Sequence, residues 1–136
     1  MTVAMTSPDS WLACPPRYGT PRREDRPTRG GDVARFAQAV GTDLMPWQRH
    51  VADVALEVEP STGRLRYRRV VLTVPRQSGK TTLMLATFLH RSLGMGSAQI
   101  SAYAAQNGLD ARVRLQREWH KLSLQGSPAL RDTYIP

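Results

Sequence analysis

A chain of 136 residues is long enough for one domain with a hydrophobic core of its own. Its 19 Lys and Arg against 11 Asp and Glu leave a net charge of +8. That balance suits either a polyanionic partner (nucleic acid, nucleotide phosphates, an acidic surface) or a solvated basic surface with no partner. Cys14 is the lone cysteine, which excludes an intramolecular disulfide and a Cys-rich zinc site and fits a reducing cytoplasm. No run of about 18 apolar residues predicts a membrane span. The opening stretch lacks the basic and apolar regions of a signal peptide.

Residues 1–30 are rich in Pro, Arg, Ser, Thr and Gly, and Pro15, Pro16, Pro21 and Pro27 deny them regular helix or central strand. This stretch is expected to be a disordered, basic leader, and residues 31–136 to form the folded part. Asp32 can cap a short helix over Val33, Phe36, Ala37 and Val40, which Gly41 ends. Pro46 suits the first turn of a second helix running to about Val58, with Val51, Val54, Ala55 and Val58 on one face. Pro60-Ser61-Thr62-Gly63 is a turn signal.

The run from Arg66 to Val74 ends in a β-branched stretch, the composition of a strand buried on both faces, and Pro75 stops it. Gly79 to Leu93 then reads as a helix that is apolar nearly all round. After Gly94 and Gly96, Ala98 to Tyr103 reads as a second strand. Asn107 and Asp110 make a loose cap for a last helix carrying Leu115, Trp119 and Leu122, which Gly126-Ser127-Pro128 ends. The last four elements make a βαβα unit, and such a unit implies a parallel sheet with a right-handed crossover.

The segment Val74-Pro75-Arg76-Gln77-Ser78-Gly79-Lys80-Thr81-Thr82 places Gly-Lys-Thr where a strand would give way to a helix, the setting of a phosphate-binding P-loop. Backbone N–H groups and the helix dipole favour an anion there, and Gly79 lets the backbone approach it. Gln77, Ser78, Gly79, Lys80, Thr81 and Thr82 are the candidate nucleotide-binding residues. Lys80 would lie by the β- and γ-phosphates, and the Thr81 hydroxyl would meet Mg²⁺. The expected fold is therefore α/β, an incomplete P-loop NTPase with a parallel sheet and flanking helices. Val74 stands where the usual pattern has its first glycine. A bare Gly-Lys-Thr is a weak signal, and a solvated lysine at an ordinary helix start is its bland alternative.

Arg76-Gln77-Ser78-Gly79-Lys80-Thr81 after a Val-rich run resembles the deviant Walker A loop of phage terminase large subunits, a family that commonly lacks the first glycine. The resemblance implies an ATPase that packages double-stranded DNA into a capsid, with ATP and Mg²⁺ bound. It implies portal protein and terminase small subunit as partners and work at the procapsid portal in the bacterial cytoplasm. In the family, the arginine matching Arg76 is proposed to sense or stabilise the γ-phosphate, which gives Arg76 a catalytic role beside Lys80. Arg76 could instead be a surface residue paired with a neighbouring carboxylate.

Leu44-Met45-Pro46-Trp47-Gln48 resembles the family's Pro-Trp-Gln element, whose glutamine is expected on the adenine edge, where an amide can both donate and accept. Gln48 could instead be a helix-surface residue, and Trp47 reads as core. Ser101 to Gln106 resembles the family's segment after the second strand.

The resemblance covers about 31–134 and only the front of a terminase. After the loop the acids are Asp110, Glu118 and Asp132, and none follows an apolar β run, so no Walker B element is expected and no nuclease domain. A truncated gene product, half of a split gene and a fragment all fit. The isolated chain is expected to be inactive in hydrolysis and to need the missing C-terminal part of the terminase.

Two further readings stay open. One is a fragment of a helicase-like DNA-dependent ATPase. The other is a non-catalytic basic module that binds nucleic acid or a capsid partner. His50, His90 and His120 lack metal-ligand spacing and read as structural or surface residues.

Overall fold

A computed structural model of the chain describes residues 16–94, 101–104 and 106–125. Among the described residues there are four helices: α1 Gly30–Ala39, α2 Pro46–Ala55, α3 Lys80–Gly94 and α4 Gly108–Gln125. α1, α2 and α3 pack on one another around Val33, Ala37, Ala52, Leu56, Leu83 and Ala86. Three of these six are alanines, which lets the helix axes approach closely while still burying apolar surface. Leu44, Trp47, Val51, Leu65 and Leu72 close the rim of this core.

The expected parallel sheet is absent among the described residues, so the α/β assignment is corrected: the described structure is helical. Its only β pairing there is two isolated antiparallel bridges, Thr28 with Glu57 and Val58 with Leu65. Val70 to Pro75 has no ladder partner, and Val70 and Val71 are 55% and 92% exposed. The cause is that a strand is a pairwise object. β-branched residues favour an extended backbone, but ladder hydrogen bonds need a neighbouring chain segment at the right spacing. Of the second expected strand, 98–100 lie outside the described residues and Ser101 to Tyr103 form no bridge.

Local signals explain the helix ends. α1 closes in a Schellman motif: Thr42 N–H donates to the Ala37 carbonyl and Gly41 N–H to that of Gln38, both at 2.9 Å. Gly41 takes the left-handed φ of 76° that this motif requires. α1 begins at Gly30, earlier than a cap at Asp32 would put it, and Asp32 lies in the first turn instead. α2 starts with Pro46 in its first turn and stops at Ala55, three residues short of Val58. α4 begins with a reciprocal pair, Asp110 N–H donating to Asn107 Oδ1 at 2.8 Å and Asn107 Nδ2 donating to Asp110 Oδ2 at 2.9 Å.

Of the residues read as a disordered leader, 1–15 lie outside the described residues, whereas 22–29 are tied into the fold. The tie is Glu57, whose side chain is wholly buried beside the end of α2. Its Oε1 accepts from Arg22 Nη1 at 3.0 Å and from the Arg23 backbone N–H at 2.8 Å, and Arg26 Nη1 lies 3.6 Å from Oε2. Burial pushes this carboxyl up, but the Arg23 amide and the Arg22 and Arg26 guanidiniums outweigh it and hold it below the ordinary value. Backbone bonds continue the seam, from Arg29 N–H to Leu56 O at 3.1 Å and from Val58 N–H to Pro27 O at 2.9 Å.

α1 reaches α2 at one backbone-to-backbone approach. A Cβ on Gly30 would fall 2.6 Å from the Asp53 nitrogen, so only glycine fits. The Thr28 hydroxyl bridges the pair, donating to the Asp53 carbonyl at 2.6 Å and accepting from Gly30 N–H at 3.2 Å. On the other side of α1, His90 of α3 is buried edge-on to Phe36, with ring centroids 5.7 Å apart, and its Nε2 lies 3.8 Å from Asp32 Oδ2. Burial lowers the His90 pKa more than Asp32 raises it.

These two groups set the acid response. The contribution of Glu57 is complete above the unfolded carboxylate value, about 4.3, and is lost as pH falls through its lower folded value. The contribution of His90, held neutral in the fold, is complete above about 6.5 and shrinks as pH falls through its lower folded value. The urea midpoint is therefore expected to fall in two stages, one beginning below about pH 6.5 and one below about pH 4.3, with Glu57→Gln removing the lower stage and His90→Gln the upper. A midpoint flat across both stages would contradict the assignment. At neutral pH the Arg22→Ala/Arg26→Ala double variant, which strands a buried carboxylate, is expected to cost about 3 kcal/mol.

Candidate functional site

The loop from Pro75 to Gly79 enters α3 at Lys80. Its backbone alternates in hand: Gln77 has φ 61° and Gly79 φ 86°, with Ser78 between them on the ordinary side. Such alternation turns successive N–H groups toward one side and makes a concavity that suits anions. The N-terminus of α3, a helix of 15 residues, adds its free N–H groups and positive dipole end at the same place.

The loop is braced from within. Lys80 Nζ donates to the carbonyls of Val74 at 2.9 Å and Pro75 at 2.7 Å, and Ser78 Oγ donates to Pro75 O at 2.7 Å. Two of the three ammonium N–H groups are used in this way, so the charge is held inside the loop with one donor left to give. Thr81 and Thr82, in the first turn of α3, are half-buried. Arg76 is exposed on the loop and forms no ion pair among the described residues. Pairing with a carboxylate, the bland reading of Arg76, thus has no support within the described part.

Gln48 is placed differently from what an adenine contact requires. Its side chain is fully buried. Oε1 accepts from Met45 N–H at 2.7 Å, capping α2, and Nε2 donates to the Gly79 carbonyl at 2.8 Å. Gly79 O also accepts the first helical bond of α3, from Leu83 N–H at 3.4 Å. A Cβ added to Gly79 would come 2.8 Å from Gln48 Nε2 and 2.9 Å from Met45 Cε. Gly79 is thus fixed both by φ and by space. Trp47 packs against the core, in line with its reading from sequence.

The structure therefore brings together Gln48, Gln77, Ser78, Gly79 and Lys80, with Thr81 and Thr82 following on α3, and leaves Arg76 at the surface. Sequence reasoning missed Met45, whose methyl and amide both meet this cluster. The signal available was its position two residues before Trp47, at the helix boundary that Pro46 announces. For a cation, the loop offers the Thr81 hydroxyl. Among the described residues no three His, Cys, Asp or Glu side chains group into a metal site.

An apolar groove of about 250 Å³ lies behind the loop, between α2, residues 65–72 and α3. Val51, Ala55, Leu65, Leu72 and Leu83 make most of its wall, and Lys80 and Arg91 border it. No helix among the described residues is long and apolar enough to cross a membrane. Comparison with protein-family models, with curated proteins and with solved structures returned no match.

The loop geometry yields two opposite substitution effects. Gly79→Ala meets a left-handed φ and two close neighbours, and is expected to destabilise by about 2–4 kcal/mol. Gln77→Gly relieves a left-handed residue that has a Cβ, and is expected to stabilise by about 1 kcal/mol. Urea denaturation of the two variants checks both signs, and a neutral Gly79→Ala would refute the packing described.

Proposed function

We propose that this chain is the nucleotide-binding segment of a terminase-type DNA-packaging motor, and that the loop from Pro75 to Thr82 holds the phosphates of ATP with Mg²⁺. The observation that carries the reading is the alternating backbone of Gln77, Ser78 and Gly79 leading into α3, with Lys80 folded into it. It supports a phosphate site because a backbone of alternating hand, the positive end of the α3 dipole and the half-buried Lys80 ammonium meet at one helix start. The Arg-Gln-Ser-Gly-Lys-Thr order that resembles terminases supplies the family.

The residues have distinct roles in this reading. The N–H groups of Ser78, Gly79 and Lys80 receive phosphate oxygens. Lys80 keeps one N–H for a β- or γ-oxygen while its other two hold the loop shape. The Thr81 hydroxyl would hold Mg²⁺, which would neutralise phosphate charge when bound. Arg76, exposed on the loop, can turn toward the terminal phosphoryl group and offset negative charge there. No acid of this chain is assigned the task of orienting water.

The partners proposed with it are double-stranded DNA, the portal protein, the terminase small subunit and the remainder of the terminase, at the procapsid portal in the bacterial cytoplasm. The net charge of +8 supports a DNA partner through phosphate neutralisation.

Lys80→Ala is the decisive variant. Loss of a charge-assisted phosphate contact together with the brace is expected to weaken binding of a fluorescent ATP analogue with Mg²⁺ by about 100-fold. Equal binding by a folded Lys80→Ala variant would remove the phosphate-loop reading. DNA binding that survives in that variant, falls steeply with salt and occurs without any nucleotide binding by the wild type would favour a basic binding module instead.

A further inference from the structure

The buried amide of Gln48 spends its acceptor on the cap of α2 and a donor on the Gly79 carbonyl. Its side chain has no exposed surface, so a base could reach it only if the amide first left this pocket. Leaving would strip the Met45 N–H of its partner at the start of α2. It would also release Gly79, whose left-handed backbone is packed against Gln48 Nε2 and Met45 Cε. Both losses fall on the loop that must receive the phosphates, so a base contact by Gln48 would loosen the very site it serves.

We infer that Gln48 is a positioning residue that sets the phosphate loop from behind, and that the site selects the triphosphate rather than the base. This rests on the nucleotide-binding reading above and changes its substrate class from adenosine triphosphate to any nucleoside triphosphate, or the bare triphosphate. The chemistry of the donors at the loop agrees. Backbone N–H groups, an ammonium and a threonine hydroxyl recognise phosphate oxygens, and the Gln48 amide, spent on Met45 N–H and the Gly79 carbonyl, is closed to a base. The walls of the neighbouring groove are largely apolar, with Tyr67, Lys80, Thr87 and Arg91 among them.

The test is isothermal titration of the full chain with ATP, GTP and inorganic tripolyphosphate, each with Mg²⁺, for the wild type, Gln48→Leu and Gln48→Glu. The wild type is expected to bind ATP and GTP within about threefold of each other and tripolyphosphate within about tenfold. Gln48→Leu is expected to weaken all three by a common factor of about tenfold, the worth of one well-placed hydrogen bond. Gln48→Glu keeps the acceptor for Met45 N–H but sets a carboxylate against the Gly79 carbonyl, and is expected to weaken all three further.

A tenfold preference of the wild type for ATP over GTP, lost in Gln48→Leu while tripolyphosphate binding is unchanged, would overturn the inference and leave the nucleotide-binding reading intact. So would unaltered affinities in both variants. Failure of the folded wild type to bind any of the three would sink the nucleotide-binding reading itself. If Gln48→Leu does not fold, the wild-type ratio and the Gln48→Glu variant still decide.

Discussion

The hydrogen bond from Gln48 Nε2 to the Gly79 carbonyl joins two helix starts that are 31 residues apart in the chain. At one end the same amide, through Oε1, accepts from Met45 N–H and caps the start of α2. At the other it holds the residue through which the loop turns into α3. A buried amide has strict demands, since a donor or acceptor left unpaired away from water costs about 1–3 kcal/mol. That penalty gives the contact its directing power. It fixes where α3 starts relative to α2, and therefore where Lys80 and the loop N–H groups lie.

A second buried polar group works in the same way at the opposite end of α2. Glu57 is worth little as a net stabiliser, because removing a carboxylate and two guanidiniums from water costs about as much as their attraction returns. Its effect is on arrangement: the carboxylate is tolerable only if Arg22, Arg23 and Arg26 come to it. The basic stretch before α1 is drawn against α2, and α1 is then set by the Gly30–Asp53 approach. The fold around the loop is thus held by two buried polar groups, one at each end of the same ten-residue helix.

What could be read from the sequence follows the range of the interactions. Gly41, Pro46 and Asn107 act over a single turn, and the helix boundaries they announce are close to those observed. The place of the loop before α3 was legible for the same reason, since Pro75 and Gly79 mark a helix start locally. Val70 to Val74 misled because strand composition is local while strand pairing is not. Gln48 and the arginines of 22–26 misled because a polar side chain reads as surface or as ligand contact until its tertiary partner is known. Nothing in the residues around Glu57 distinguishes a solvated glutamate from one buried beneath three arginines.

Whether the backbone of this loop receives phosphate decides the function. Backbone amide chemical shifts followed by NMR during titration with Mg²⁺ and ATP test that most directly. The expected result is a set of large, saturable shifts confined to the amides of Ser78, Gly79, Lys80 and Thr81, with smaller shifts at Met45 and Gln48. Shifts spread over the exposed arginines of 64–69 with the loop amides unmoved would contradict it and mark the chain as a general polyanion binder.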